Sequence, residues 1–443
     1  MSKSYIFEYI DDEGNFVVTL PSGAKSSSKT DHLGRKEYEE LQLGTGVISS
    51  KFNYAKGSYD RAVYSGRIKS TPETNLVSSI SYSNGIELSY KYDISGNIRE
   101  IRQGNILKAK YVYDGVGRLS EEWNSDTSEI VLYTYDAGGN MVSKKSKFYY
   151  GQEDQSIDSF ADKGEKTLTY GDNVWKDRLT GYSGFESNIE YDTVGNPLKY
   201  NKYRFIWEKG RQLKEIRDRT TDTLMYSFEY NASGIRTKKI NHTGTSVKEH
   251  SCFLDGTNII REEIKQSGNT TTVDYLYNKD NAVCGMTYDG TTYYYIKNLQ
   301  GDVTALTNSD GNIVASYYYD SWGKLYGVIG DPDKAILNPF RYRGYYYDDE
   351  FNFYYLNSRY YDPEICRFVN ADEAKNIFFD NLLSTRNLYN YCTNDPINNS
   401  DQNGKWLIRV ASGIVVGALF AGFAYALLDI LSDFIKIPQK RKR

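Results

Sequence analysis

Along the chain, apolar and polar positions alternate with a period of two over short stretches that end in turn residues. Three segments share one form: Tyr90-Lys-Tyr92-Asp93-Ile-Ser-Gly96-Asn97-Ile98, Tyr111-Val-Tyr113-Asp114-Gly-Val-Gly117-Arg118-Leu119 and Tyr133-Thr-Tyr135-Asp136-Ala-Gly-Gly139-Asn140-Met141. Further copies are Glu190-Tyr191-Asp192-Thr-Val-Gly195-Asn196, Glu229-Tyr230-Asn231-Ala-Ser-Gly234 and Tyr319-Asp320-Ser-Trp-Gly323-Lys324-Leu325. Weaker ones lie at Asp11-Asp-Glu-Gly14-Asn15 and Asp31-His-Leu-Gly34-Arg35. Successive anchoring aspartates stand 20 (11 to 31), 62 (31 to 93), 21 (93 to 114) and 22 (114 to 136) residues apart, so the period is near 21. The next interval, 56 (136 to 192), contains a polar stretch, Ser143 to Gly171, that reads as an insertion.

The unit predicts a β-hairpin. Tyrosines two apart lie on one strand face and cover the neighbouring strand. An Asp or Asn at the strand end hydrogen-bonds the backbone two residues on and starts a turn. Glycine three residues later accepts a positive φ at little cost. Such a hairpin cannot bury its own aromatic face, whereas hairpins stacked side by side can.

Composition agrees with strands. The 43 tyrosines among 443 residues outnumber the 37 glycines, with only 8 prolines and 4 methionines. That is not the usage of a helical bundle. Three histidines (His32, His242, His250) and four cysteines (Cys252, Cys284, Cys366, Cys392) in no Cys-x-x-Cys pair predict neither a metal centre nor a cofactor. Charge is nearly balanced, 54 basic against 58 acidic residues, which argues against nucleic-acid binding. Met1 to Tyr9 reads as a strand, not as a signal peptide.

With these repeats the sequence resembles the YD-repeat family, the Rhs and wall-associated proteins of bacteria. A denser match runs from Tyr293 to Asp372 through Gly301-Asp302-Val303, Pro339-Phe-Arg341-Tyr-Arg-Gly344, Ser358-Arg359-Tyr-Tyr361-Asp362-Pro363 and Arg367-Phe368-Val-Asn-Ala-Asp372. It is similar to the Rhs-repeat-associated core, and Asn387 to Asn398 to that core's closing segment. The expected division is a repeat region (1–292), the core (293–404) and a variable tail (405–443). The resemblance implies an all-β fold, a coiled ribbon of hairpins forming a partial or complete hollow shell that the core finishes at one end.

The resemblance also implies chemistry. Family members cleave themselves just after the core, at a site resembling D-P-x-G-L, using aspartates and an arginine. Here the stretch is Asp401-Gln402-Asn403-Gly404-Lys405-Trp406, with Gln402 in place of the proline and Lys405 in place of the apolar residue before the break, so the resemblance implies self-cleavage near Lys405-Trp406. Candidate residues are Asp362, Asp372, Arg367 and Asp401, with Arg359 near in sequence and Asp395 a further option. Two carboxylates in one site, one of them protonated, would activate water while the carbonyl is polarised.

Beyond Trp406 the composition changes. Val410 to Leu428 is 19 residues without charge, containing Gly413-x-x-x-Gly417, and the chain ends in a basic cluster, Lys440 to Arg443. A helix over about 410–428 is expected, either in a membrane or buried in the shell's hollow. The leading expectation is a non-enzymatic shell, secreted or at the cell surface of a bacterium. It would enclose or present its own C-terminal segment or a toxin polypeptide, and work with secretion-system or immunity partners. A carbohydrate-binding adhesion module and a membrane-active effector acting through the tail are the other readings.

Overall fold

The chain's structure is a computed structural model that describes residues 5–9, 16–56, 73–372, 387–405 and 407–409. The repeat unit is a β-hairpin whose turn is built by its aspartate. Asp93 Oδ1 accepts the N–H groups of Ser95 (2.8 Å) and Asn97 (2.9 Å), while the Asp93 and Asn97 backbones close the turn. Gly96 inside it has φ +77°. Asp114, Asp136 and Asp192 repeat the bond to the residue four places on, at 2.8–2.9 Å. Asp31 does the same with Arg35 at 3.0 Å. The repeat's aspartates are thus turn builders. The copy at Asp11 to Asn15 lies outside the described residues.

In five copies the tyrosine before the turn's Asp or Asn joins one repeat to the one before. Its hydroxyl donates to a backbone carbonyl of an earlier strand: Tyr92 to Val77 (2.6 Å), Tyr113 to Ile98 (2.6 Å), Tyr135 to Leu119 (2.6 Å), Tyr230 to Leu213 (2.9 Å) and Tyr319 to Val303 (3.0 Å). The ring covers the neighbouring hairpin and the hydroxyl satisfies a carbonyl the ladder leaves free.

Among the described residues the ribbon makes two antiparallel sheets of fourteen strands each, paired in chain order. One runs from Ile6–Tyr9 to Gly181–Tyr182, the other from Glu190–Tyr191 to Leu325–Gly330. Residues 293–330 continue the second ladder without a break. The ribbon coils back on itself, because early hairpins meet late ones. Tyr277 N–H donates to the Tyr5 hydroxyl (3.2 Å), Lys36 pairs with Asp280 (2.9 Å), and the Thr45 hydroxyl donates to Asp310 (2.6 Å).

A four-stranded sheet, Tyr346–Asp348, Phe353–Tyr355, Tyr360–Asp362 and Arg367–Phe368, is held by this wall. Tyr345, Tyr346, Tyr347, Tyr354, Tyr355, Tyr360 and Tyr361 are all buried, so this sheet is aromatic on both faces. Arg236 of the wall binds Asp348 in bidentate fashion (2.7 and 3.1 Å). Repeat turns also reach it, through Ala371 N–H to Gly195 O (3.2 Å) and Asn394 to Gly139 O (2.7 Å).

The all-β, shell-like fold is therefore as expected. The polar stretch 143–171 differs from a plain insertion: about half of it lies in the paired strands Met141–Phe148 and Asp162–Thr169, and 149–161 is the loop that joins them. The expected helix over 410–428 lies outside the described residues. Among the described residues no helix is long and apolar enough to cross a membrane.

Candidate functional site

Arg359 sits at the entrance to the Tyr360–Asp362 strand, after a turn in which Leu356 N–H donates to the Arg359 carbonyl (2.9 Å). Its guanidinium is buried and lies over the Phe368 ring, with Cζ 3.5 Å from the centroid. The planar fork then has its donors fixed in direction. Nε donates to the Gly404 carbonyl (2.6 Å) and Nη1 to the Leu388 carbonyl (3.2 Å). Nη2 lies 3.1 Å from Asp401 Oδ2 and 3.3 Å from Asp372 Oδ2. One cation thus gathers two carboxylates and two main-chain carbonyls.

The segment it grips is a tight loop between Asn399–Asp401 and Leu407–Arg409, two strands that pair with each other. The other oxygen of the Asp401 carboxylate, Oδ1, accepts the Lys405 N–H at 2.9 Å, and Asp401 N–H donates to the Tyr345 hydroxyl at 3.0 Å. The Ser358 hydroxyl donates to the Asn403 carbonyl at 2.8 Å. Gly404 is required by this closeness: at φ +73°, a Cβ would come within 2.6 Å of Ser358 Oγ and 2.9 Å of the Leu356 carbonyl. The Gly404–Lys405 peptide is held at both ends, its carbonyl by Arg359 and its N–H by Asp401. Lys405 is exposed, and Trp406 lies outside the described residues.

Of the residues singled out by sequence, Asp372 and Asp401 meet here. Asp362 and Arg367 do not. Asp362 accepts the Tyr200 hydroxyl (2.7 Å) and the Glu364 N–H (2.8 Å), and burial pushes its carboxyl up to about 6. Arg367 donates to the Tyr170 hydroxyl (2.7 Å) and the Asp177 carbonyl (2.5 Å). Asp395 is bound by Asn398 (3.0 and 3.1 Å), and burial raises it to about 6 as well. These three fasten the inner sheet and its closing segment. The guanidinium at the site is that of Arg359, and Tyr345, Ser358 and Asn403 complete it. No local pattern separates Arg359 from Arg367, since both stand beside an aromatic residue in the same hairpin.

Among curated proteins, the tRNA3(Ser)-specific nuclease WapA of Bacillus spizizenii is 28% identical over 312 residues, 70% of this chain and 12% of its own length. The double-stranded DNA deaminase toxin A of Burkholderia cenocepacia is 22% identical over 311 residues, 70% of this chain and 16% of its own. Among solved structures, a crystal structure of TcdB2-TccC3-TEV superposes with a TM-score of 0.66 at 18% identity, covering 88% of this chain and 20% of that one. The chain thus spans only a small part of the relatives it matches. The teneurin YD-shell model matches residues 64–397, the greater part of the sequence, and the chain belongs to the teneurin YD-shell family.

Proposed function

We propose that the chain is the closing section of a toxin-type shell, a scaffold that holds its own C-terminal segment and processes the junction to it. The observation that carries this reading is the Arg359 grip on the loop 401–405, which follows the core's closing segment. The relatives are named as a tRNA nuclease and a DNA deaminase toxin, and the shared part is a minor fraction of each. We take the shared part as the carrier and the unshared part as the effector. The carrier would act outside the producing bacterium, with export and immunity functions supplied by other proteins.

In this reading the shell does one reaction, hydrolysis of the Gly404–Lys405 peptide, one bond before the Lys405-Trp406 junction that the resemblance implies, because this is the peptide whose carbonyl and N–H are both held. Water adds across the C–N bond, its hydroxyl going to the carbonyl carbon and its proton to the leaving amine. Arg359 stabilises charge developing on the Gly404 oxygen. Asp401 faces the departing nitrogen, and Asp372 completes the carboxylate pair, one member of which must carry a proton.

Intact-mass measurement on the purified 443-residue chain tests the proposal. Two fragments parted beside Lys405, which stay together on gel filtration, are expected. Asp401→Asn, Asp372→Asn and Arg359→Met should each leave the chain whole, while Asp362→Asn should still be cut. Full-length protein alone would sink the processing, and fragments that separate under native conditions would sink the enclosure.

A further inference from the structure

The closing segment is fastened to one edge of the ribbon, turn after turn. The turns at 31–35, 93–97, 114–118 and 136–140 all lie on the same edge of the first sheet, because its strands pair in chain order and reverse at each turn. Asn394 Nδ2 donates to the Gly139 carbonyl at 2.7 Å. Further on, Asn398 accepts the Ile98 N–H (2.8 Å) and donates to the Tyr113 hydroxyl (2.9 Å). Arg409 Nη2 then donates to the Ser95 and Gly96 carbonyls (3.1 and 3.0 Å). The segment thus travels from later repeats to earlier ones. Between Asn394 and Arg409 it takes fifteen residues to pass from turn 136–140 to turn 93–97, a step of four strands.

Three turns on this edge carry an exposed aliphatic tip, Leu33, Ile94 and Val116. A lone exposed aliphatic residue is ordinary. These stand on one edge, and the chain delivers an apolar segment to them. Arg409 is fixed at the turn that carries Ile94, and the residues that follow, Val410 to Leu428, are 19 without charge.

We infer that residues 410–428 continue along this edge, covering Ile94 and then Leu33. The step from turn 93–97 to turn 31–35 is again four strands. At about 4.8 Å per strand it measures about 19 Å. Fifteen further residues from Arg409 reach Ala424, still inside the uncharged stretch. Even as a helix, the shorter form, that stretch would reach about 28 Å. Covering the tips removes apolar surface of both partners from water. Val116 stands behind Arg409 in this direction and stays uncovered. A second copy fits less well, because single tips about 10 Å or more apart fall short of the roughly 1,000 Å² that a stable interface needs. The inference rests on the reading that the chain holds its C-terminal segment, and not on the cleavage.

Photo-crosslinking tests the track, with p-benzoylphenylalanine placed in turn at positions 33, 94 and 116 of the full chain carrying Asp372→Asn. Mass spectrometry should find crosslinks within one chain from 33 and 94 to residues 410–428, and at least tenfold fewer from 116. Ile94→Asp combined with Leu33→Asp should speed chymotryptic cleavage at Phe420 and Phe423 at least tenfold without moving the melting temperature. Crosslinks that join two chains, equal yields from 116, or unchanged cleavage would overturn the track. Gel filtration of the parent protein keeps the two readings apart: a segment that stays with the shell while the crosslinks fail overturns the track alone, and a segment that separates overturns the holding on which it rests.

Discussion

The Tyr113 hydroxyl donates to the Ile98 carbonyl at 2.6 Å, across a separation of fifteen residues, and so fastens each repeat to its predecessor. Tyr92 and Val77 stand in the same relation, with the same separation and length. Removing this hydroxyl leaves the carbonyl of a fully buried residue short of a partner. Tyr113→Phe should therefore cost about 1–2 kcal/mol. Urea unfolding read by fluorescence measures it. Because the ring stays, the variant should keep its fold; an unchanged midpoint would show that the hydroxyl contributes no net stability.

Much of this was legible in the sequence. The Tyr-Asp-x-x-Gly pattern specifies strand and turn, because the aspartate's bonds are local and glycine's φ depends on its own position. The partner of the tyrosine hydroxyl was not legible, since it lies on another hairpin and any carbonyl would serve. The site shows the same limit. Asp362 and Arg367 are candidates because the family motifs supply aspartates and an arginine there, and the structure makes them direct cross-strand partners. Their side chains nevertheless turn to wall residues Tyr200, Tyr170 and Asp177. Asp372 and Asp401 meet only because Arg359 stacks on Phe368 and points between them, a three-dimensional fact without a spacing rule.

The junction between wall and inner sheet should fail asymmetrically. Asp348 is fully buried and receives both Arg236 (2.7 Å) and Lys239 (3.0 Å). Asp348→Asn leaves two buried cations with reduced compensation and should cost about 3–5 kcal/mol. Arg236→Met should cost less, because Lys239 still neutralises the carboxylate. Denaturant titration of the two variants gives the order, and the reverse order would mean that Lys239 does not compensate.

Gly404→Ala separates loop geometry from overall stability. At φ +73° an alanine costs about 1–2 kcal/mol, and its Cβ would press on Ser358 and the Leu356 carbonyl. The loop must move, which breaks the Arg359 contact to Gly404 and the Asp401 contact to the Lys405 N–H. In an Asp372→Asn background, which keeps the chain whole, hydrogen exchange at Lys405 should accelerate at least tenfold while the amides of the inner sheet remain protected. Equal acceleration in the inner sheet would show that the loop and the sheet open as one unit.

Buried carboxyls give stability two opposite pH dependences. Burial pushes Asp362 up to about 6, with nearby Glu364 adding to the rise and the Tyr200 hydroxyl opposing it. In the unfolded chain an aspartate titrates near ~3.9. Between about 4 and 6 the unfolded chain has released this proton and the folded chain still holds it, so stability falls as pH rises through that window. At about 1.4 kcal/mol per pKa unit, the loss approaches about 3 kcal/mol. Glu262 behaves in the other sense. Burial opposes its ionisation, but His250 at 2.6 Å and the Tyr275 hydroxyl outweigh that and hold it at about 2. Its contribution is present above about 4.3 and is lost as pH falls towards 2. Asp362→Asn should therefore raise the melting temperature at pH 7.5 and leave it unchanged at pH 4. Glu262→Gln should lower it at pH 7.5, with the difference closing as pH falls to 3. Melting curves of both variants across this range check the signs, and an Asp362→Asn protein less stable than the parent at pH 7.5 would show that the charged carboxylate stabilises the inner sheet.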